Sequence, residues 1–343
     1  MKIFKYLFFL LLIVIIAGSI YIATKDGEFQ IEETKVIPAP AEMVFNEVND
    51  FKNWENWGPW ASKDKDIIIE YGAKTSGDSA LYSWKSSNFE DGKIKTISAK
   101  PFAEIKQGFS FETSFGTANS DLYWNFDEFE EGTEVTWGIK GKQNFMEKLA
   151  FIFKDETIPQ MMRPKLKRGL EKLETVILNK MDKYTINVDG IIRYGGGYYM
   201  YTTTASKIGM VDRKMAPMLS EISSYMEENN IEKNGNPFVL YNEWNNDAGT
   251  VIFSAGFFTP SEVITPAKSE VLTGFMPNQK VLKTTLKGDY ENLREAWSIA
   301  RDYLEKNNIE IKEDAHSFEV YQNSPNKVAN PAKLVTHLYI PVK

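Results

Sequence analysis

The sequence predicts an α+β chain in three parts: an N-terminal transmembrane helix, an antiparallel sheet gripping a long helix, and a duplicated strand-helix-strand-strand domain. Three observations predict it. Residues 7–23 form an uncharged apolar run. Residues 80–141 alternate in short strand-like stretches ahead of a long amphipathic segment. The octet YMEENNIE at 225–232 returns as YLEKNNIE at 303–310.

The apolar run, LFFLLLIVIIAGSIYIA, follows Lys2 and Lys5. At ~1.5 Å per residue such a helix nearly crosses a ~30 Å hydrocarbon core, and it is longer than the ~7–15 residues of a secretory core. Ala17-Gly18-Ser19 offers a cleavage site, but cutting there leaves an apolar Ile20-Tyr21-Ile22 start, so an uncleaved single-pass anchor is expected. Lys2 and Lys5 then stay on the cytoplasmic side of the inner membrane, and everything beyond about residue 27 is periplasmic. The expected division is residues 1–27 as anchor, 28–182 as the sheet-and-helix domain and 183–343 as the duplicated domain.

Composition narrows the chemistry. A net charge of -7, with no basic stripe past the N-terminus, argues against a nucleic-acid partner. Cysteine is absent and histidine occurs only at 316 and 337, so no disulfide, thiolate site or histidine metal centre is expected, and no cofactor. Gly195-Gly196-Gly197 lacks the Lys-Ser/Thr of a phosphate loop and reads as a bulged start to the strand at 198. No GxSxG occurs, and no catalytic set is expected.

After the anchor, EFQIEETKVIP reads as a strand and AEMVFNEVND as a short helix with Met43, Val44 and Val48 inward. Strands follow at 80–86, 92–100, 105–115, 120–129 and 133–141, rich in β-branched and aromatic residues. Their alternation sets Tyr82 beside Trp84, Phe109 beside Phe111, and Val135 beside Trp137 and Ile139. The segment after Pro164 aligns Leu166, Leu170, Leu173 and Ile177 on one stripe, the cover such a sheet needs; Pro159 and Pro164 predict an irregular start to it. In the duplicated half, strands at 237–243 and 249–260 match strands at 317–323 and 332–342, with 259–279 as connector.

Ala39-Pro40-Ala41 with MVFNEVNDFKNWENW, the ALYSWKS strand and Gly132-Thr133-Glu134-Val135-Thr136-Trp137 resemble the START-like (SRPBCC, polyketide cyclase-like) superfamily, a helix-grip fold, over residues 28–182. Gly288-Asp289-Tyr290-Glu291-Asn292-Leu293, Phe318-Glu319-Val320-Tyr321 and Tyr339-Ile340-Pro341-Val342 resemble the GyrI-like effector-binding domain over 183–343. The second resemblance implies a cleft between repeats that takes amphipathic or cationic small molecules, often on a buried carboxylate. It also implies hydrolysis in some members. Two departures stand out: His337 follows Thr336 where relatives often carry Glu, and no helix-turn-helix precedes the domain.

Candidate ligand contacts follow. Trp54, Trp57 and Trp60 crowd a broken segment; Trp54 reads as a core plug, while Trp57 and Trp60, flanking Gly58-Pro59, read as a cavity mouth. Trp84, Phe109, Trp124 and Trp137 lie on the sheet face, as core or as pocket lining. In the duplicated half, Tyr241 and Tyr321 occupy matched positions, and period two puts Glu319 with Tyr321 and His337 with Tyr339. These four are the expected polar contacts of a seam cleft, with Tyr199, Tyr201 and Trp244 as walls; Trp297 reads as core. Asp127, Glu128, Glu130 and Glu131 read as a solvated hairpin end. The expected function is a membrane-anchored binder of small apolar or amphipathic molecules, lipids included. Its alternatives are a hydrolase using an acid such as Glu319, and a ligand sensor or scaffold contacting a membrane partner.

Overall fold

The computed structural model describes residues 2–58, 67–87, 90–113, 116–152 and 156–343. Trp60, and residues 114–115 at the end of the third expected strand, lie outside them. The α+β reading holds, and the chain divides into two compact units, residues 1–179 and 180–343.

The first unit opens with α1 (Lys2–Thr24), exposed along nearly its whole length. It is long and apolar enough to cross a membrane, with a mean hydropathy of 2.7. Then come β1 (Glu28–Ile37), α2 (Ala41–Asn49), the one-turn α3 (Trp54–Trp57), β2 (Ile68–Tyr71), β3 (Leu81–Lys85), β4 (Gly92–Lys100), β5 (Glu104–Thr113), β6 (Gly116–Phe129), β7 (Gly132–Lys142), α4 (Phe145–Phe151) and α5 (Ile158–Met181). Among the described residues β2 to β7 form an antiparallel meander, and β1 closes it against β7 in the order β1-β7-β6-β5-β4-β3-β2. In α2, Ala41, Val44, Phe45, Glu47 and Val48 are buried, and Met43 is only partly so. Helix α5 starts earlier than the prolines suggested and runs through Pro164. Pro159 sits in the first turn, where a missing N–H costs nothing, and Pro164 is exposed, so the carbonyl it leaves unbonded can take water.

Leu166, Leu170, Leu173 and Ile177 of α5 are buried, as their spacing requires, and Gly169 joins them. A Cβ at Gly169 would stand 2.5 Å from the Trp137 ring, so only glycine lets the helix come this close. Gly169→Val is expected to cost ~1–3 kcal/mol by overpacking, and Arg168→Val, exposed one position away, within ~0.5 kcal/mol. Thermal unfolding of the two variants side by side checks this.

The second unit contains β8 (Thr185–Tyr194), β9 (Gly197–Lys207), α6 (Val211–Glu228), β10 (Phe238–Asn245), β11 (Thr250–Phe258), β12 (Leu272–Met276), β13 (Gln279–Lys287), α7 (Leu293–Lys306), β14 (Phe318–Tyr321) and β15 (Val335–Pro341). One antiparallel sheet runs β12-β9-β11-β10-β14-β15-β13-β8. The duplication is visible in that order: β9-β11-β10 meets its mirror, β14-β15-β13, at the β10–β14 pair. The connector expected at 259–279 is not wholly irregular, because β12 lies within it and pairs with β9. Helix α6 rests on β9 and β11, and α7 on β13, β8 and β15, which leaves the central strands at the seam between the two helices.

Candidate functional site

In the first unit the tryptophans answer as a plug. Trp54, Trp57, Trp124 and Trp137 are all at most 1% exposed. Trp124 and Trp137, opposite one another on β6 and β7, stack at 4.3 Å and 16°. Trp54 and Trp57 stand edge-on to that stack at 5.9–6.2 Å. Trp57 is therefore placed in the packed interior rather than at a cavity mouth. The reason is local: α3 is one helical turn, so residues three apart share its inward side, and the Gly58 amide closes the turn on the Trp54 carbonyl at 2.7 Å. The Trp54 indole donates to the Val48 carbonyl at 2.7 Å, and that of Trp124 to Gln107 Oε1 at 3.2 Å. Trp84 is buried and donates to the Glu90 carbonyl at 3.0 Å. Phe109 is also buried, at the edge of an open groove of about 830 Å³. Charged side chains of Glu28, Lys93, Lys95, Asp121, Lys140 and Lys142 stand along that groove, with Phe29 and Phe109 as its apolar wall. The acidic residues Asp127, Glu128, Glu130 and Glu131 are exposed around the β6–β7 turn.

In the second unit a carboxylate sits at the seam. Glu319 on β14 is 0% exposed and lies directly across from Val239 on β10. The 80-residue offset that pairs Tyr241 with Tyr321 also pairs Val239 with Glu319, so the two repeats face each other here with one acid rather than two. A second carboxylate across the strand pair would repel the first. Three donors converge on Glu319: Trp297 Nε1 at 2.6 Å, the Tyr321 hydroxyl at 2.5 Å, and the Tyr241 hydroxyl. Burial raises the Glu319 pKa, and the three hydrogen bonds oppose that rise in part. The same burial, with the Glu319 charge, holds Tyr241 and Tyr321 well above their ordinary value and Tyr290 at about 12. All three phenols therefore stay protonated donors at any physiological pH.

Aromatic rings enclose this acid. Tyr241 meets Trp244 at 5.1 Å and Trp297 at 5.7 Å, both edge-on, and Tyr290 meets Tyr321 at 5.2 Å. Tyr241, Trp244 and Tyr290 are half-buried, so the box has partly exposed walls above a sealed floor. Such a box is suited to a cation: ring faces and a carboxylate attract the same charge.

The structure does not bring the whole expected set together. Glu319, Tyr321, Tyr241 and Trp244 lie on the helix-covered face of the sheet. His337 pairs with Val320, and Tyr201 with Gly256, which places His337, Tyr199 and Tyr201 on the opposite face beside Phe238, Phe318 and Tyr339. There the Tyr339 hydroxyl is 3.4 Å from His337 Nδ1, and burial lowers the His337 pKa, with nearby Lys283 adding to the effect. Two residues around Glu319, its donor Trp297 and the more distant Tyr290, were not foreseen as ligand-site residues. Trp297 looked like a core residue of α7, and Tyr290 carried only a motif likeness; its place beside Tyr321 needs the folded chain.

The family pattern described as polyketide cyclase / dehydrase and lipid transport matches residues 28–177, and that of the GyrI-like small molecule binding domain matches residues 198–343. The second of these patterns is that of a small molecule binding domain; separately, the described residues contain no metal-ligating cluster. Among solved structures, the C-terminal domain of EcmrR aligns at 14% identity over 47% of this chain and 98% of its own, with a TM-score of 0.38. A protein from Chromobacterium violaceum aligns at 12% identity over 43% of this chain and 96% of its own, TM-score 0.34. One from Staphylococcus epidermidis aligns at 16% over 46% and 93%, TM-score 0.33. No curated protein matches the chain.

Proposed function

Because the chain carries a polyketide cyclase / dehydrase and lipid transport domain ahead of a GyrI-like small molecule binding domain, we propose that it is a membrane-anchored receptor for a small amphipathic molecule bearing a cationic group. The observation that carries this reading is the buried Glu319 carboxylate inside its aromatic box. A guest's cationic head meets Glu319 and the rings of Tyr241, Trp244 and Tyr290, and its apolar body lies in the seam between α6 and α7. Entry requires the half-buried Tyr241 or Tyr290 ring to swing aside. Covering ~200 Å² of apolar guest surface contributes ~5 kcal/mol at ~25 cal/mol per Å², before the entropic cost of association.

Residues 1–27 serve as the anchor in this reading, with residues 28–182 and 183–343 as modules on the periplasmic side, since Lys2 and Lys5 favour a cytoplasmic N-terminus. Hydrolysis is the weaker use of Glu319: three donors already hold it and it has no exposed surface, which suits orienting a charge better than activating a nucleophile. Isothermal titration calorimetry on the full chain in nanodiscs tests the reading. A benzyltrialkylammonium cation should bind with a measurable heat, and the corresponding benzenesulfonate should not. Equal binding of anion and cation, or of neither, would remove the carboxylate from recognition.

A further inference from the structure

Helix α4 (Phe145–Phe151) has no buried residue. Four apolar side chains still fall on one stripe: Phe145, Met146, Leu149 and, just past its end, Ile152, with Phe151 on the other side. Phe145, Met146 and Ile152 are each 41% exposed. The helix is nevertheless well made. Asn144 accepts from the Glu147 amide at 3.0 Å, and Glu147 accepts from the Asn144 amide at 2.8 Å, a complete capping box. A capped helix with no fully buried residue, and with three of the four side chains on its apolar stripe 41% exposed, leaves much of that stripe uncovered.

Its place in the chain's path says what the partner is. The Gln143 amide donates to the Gly27 carbonyl at 2.9 Å, and Lys148 Nζ donates to the Lys25 carbonyl. A Cβ at Gly27 would meet Lys148 Cε at 2.5 Å and the Gln143 carbonyl at 2.8 Å, so the two segments are clamped with no room for a side chain. The clamp holds α4 against the last turn of α1. That turn has the chemistry of a membrane–water boundary: Lys25 Nζ stands 4.8 Å over the exposed Tyr21 ring, pairing a cation with an amphipathic aromatic where an apolar helix ends.

We propose that the stripe of α4 inserts into the headgroup–acyl boundary of the leaflet from which α1 emerges, so that the first domain rests on the bilayer at two points. This rests on the reading of α1 as a membrane anchor. One tether lets a domain swivel, whereas a tether and an adjoining apolar foot fix its tilt. The foot lies at the β1 end marked by Glu28, which pairs with Lys142; the far end, where Ile37 pairs with Thr133, then points away from the membrane. At ~3.3 Å per residue this sheet end stands roughly 30 Å farther out.

The chain has no cysteine, so single labels are simple to place. Nitroxides are introduced through Ile13→Cys in α1, Met146→Cys in α4 and Phe129→Cys at the distal β6–β7 turn, in the full chain in nanodiscs of phosphatidylethanolamine and phosphatidylglycerol. Collision with oxygen, which partitions into lipid, is compared with collision with a water-soluble nickel chelate. The expected result is deep lipid at 13, a shallow lipid position at 146 with an oxygen-to-nickel ratio several-fold above that at 129, and water at 129. Lipid at 13 with a water-like ratio at 146 overturns the foot and leaves the anchor standing. A label at 146 shielded from both reagents means that protein covers the stripe, which also overturns it. Water at 13 sinks the anchor and the foot together.

Discussion

Glu319→Gln is expected to weaken binding of a benzyltrialkylammonium cation by at least about 30-fold, ~2 kcal/mol, while an uncharged alkylbenzene of the same size is held as before. Glutamine keeps the shape; its one carbonyl oxygen can still accept from Trp297, and its amide N–H can donate to the Tyr321 hydroxyl oxygen where the second carboxylate oxygen stood, so the change removes the charge with little change of volume. The pH dependence gives a second readout. Burial raises the Glu319 pKa above its ordinary 4.5, so in the free protein the acid keeps its proton into a range where an unfolded chain has lost it. Below pH 4.5 both states are protonated and the shift contributes nothing. As pH climbs from there to the raised folded value, unfolding releases a proton, and the folded state loses stability until the folded acid also ionises. A bound cation favours the ionised form, so its arrival expels the proton. Affinity should therefore rise with pH through the same window and level off above it. The glutamine variant should show neither slope. A flat affinity profile in the unaltered protein, or full affinity in the variant, would mean that Glu319 serves the fold alone.

Much of that site was legible in the residues. The duplication located the seam, and period two put Glu319 with Tyr321. What period two cannot do is relate one strand's faces to the next. His337 does share a face with Tyr339, but the register sets it opposite Val320, and with that the whole odd-numbered row of β15 turns away from Glu319. The register comes from long-range pairing, to which local spacing is blind. The elements missed were edge or marginal ones for a similar reason. β2 and β12 are four and five residues long, and β8 is an outer strand with a bulge opposite Lys283 and Thr284 and no fully buried position. Sequence pattern detects burial, and these strands bury little. Helix α4 went unseen because no folded core selects its stripe.

Trp124→Ala is expected to destabilise the first domain by ~3–5 kcal/mol, the usual cost of emptying a buried indole site. Trp124 is 0% exposed, stacks on Trp137 and donates to Gln107, itself 0% exposed, so the variant also strands a buried acceptor. The more telling measurement is rescue. Helix α5 is held to the sheet through Gly169 against Trp137, which limits how far the walls can fall inward, so the deletion should leave an indole-shaped void. Adding free indole should then raise the thermal midpoint of Trp124→Ala and leave that of the unaltered chain unchanged. The contrast separates two uses of the same aromatic surface. If the four tryptophans are a plug, only the variant has room. If indole stabilises the unaltered chain as well, the interior admits guests that its packing conceals, and the first domain joins the second as a receptor.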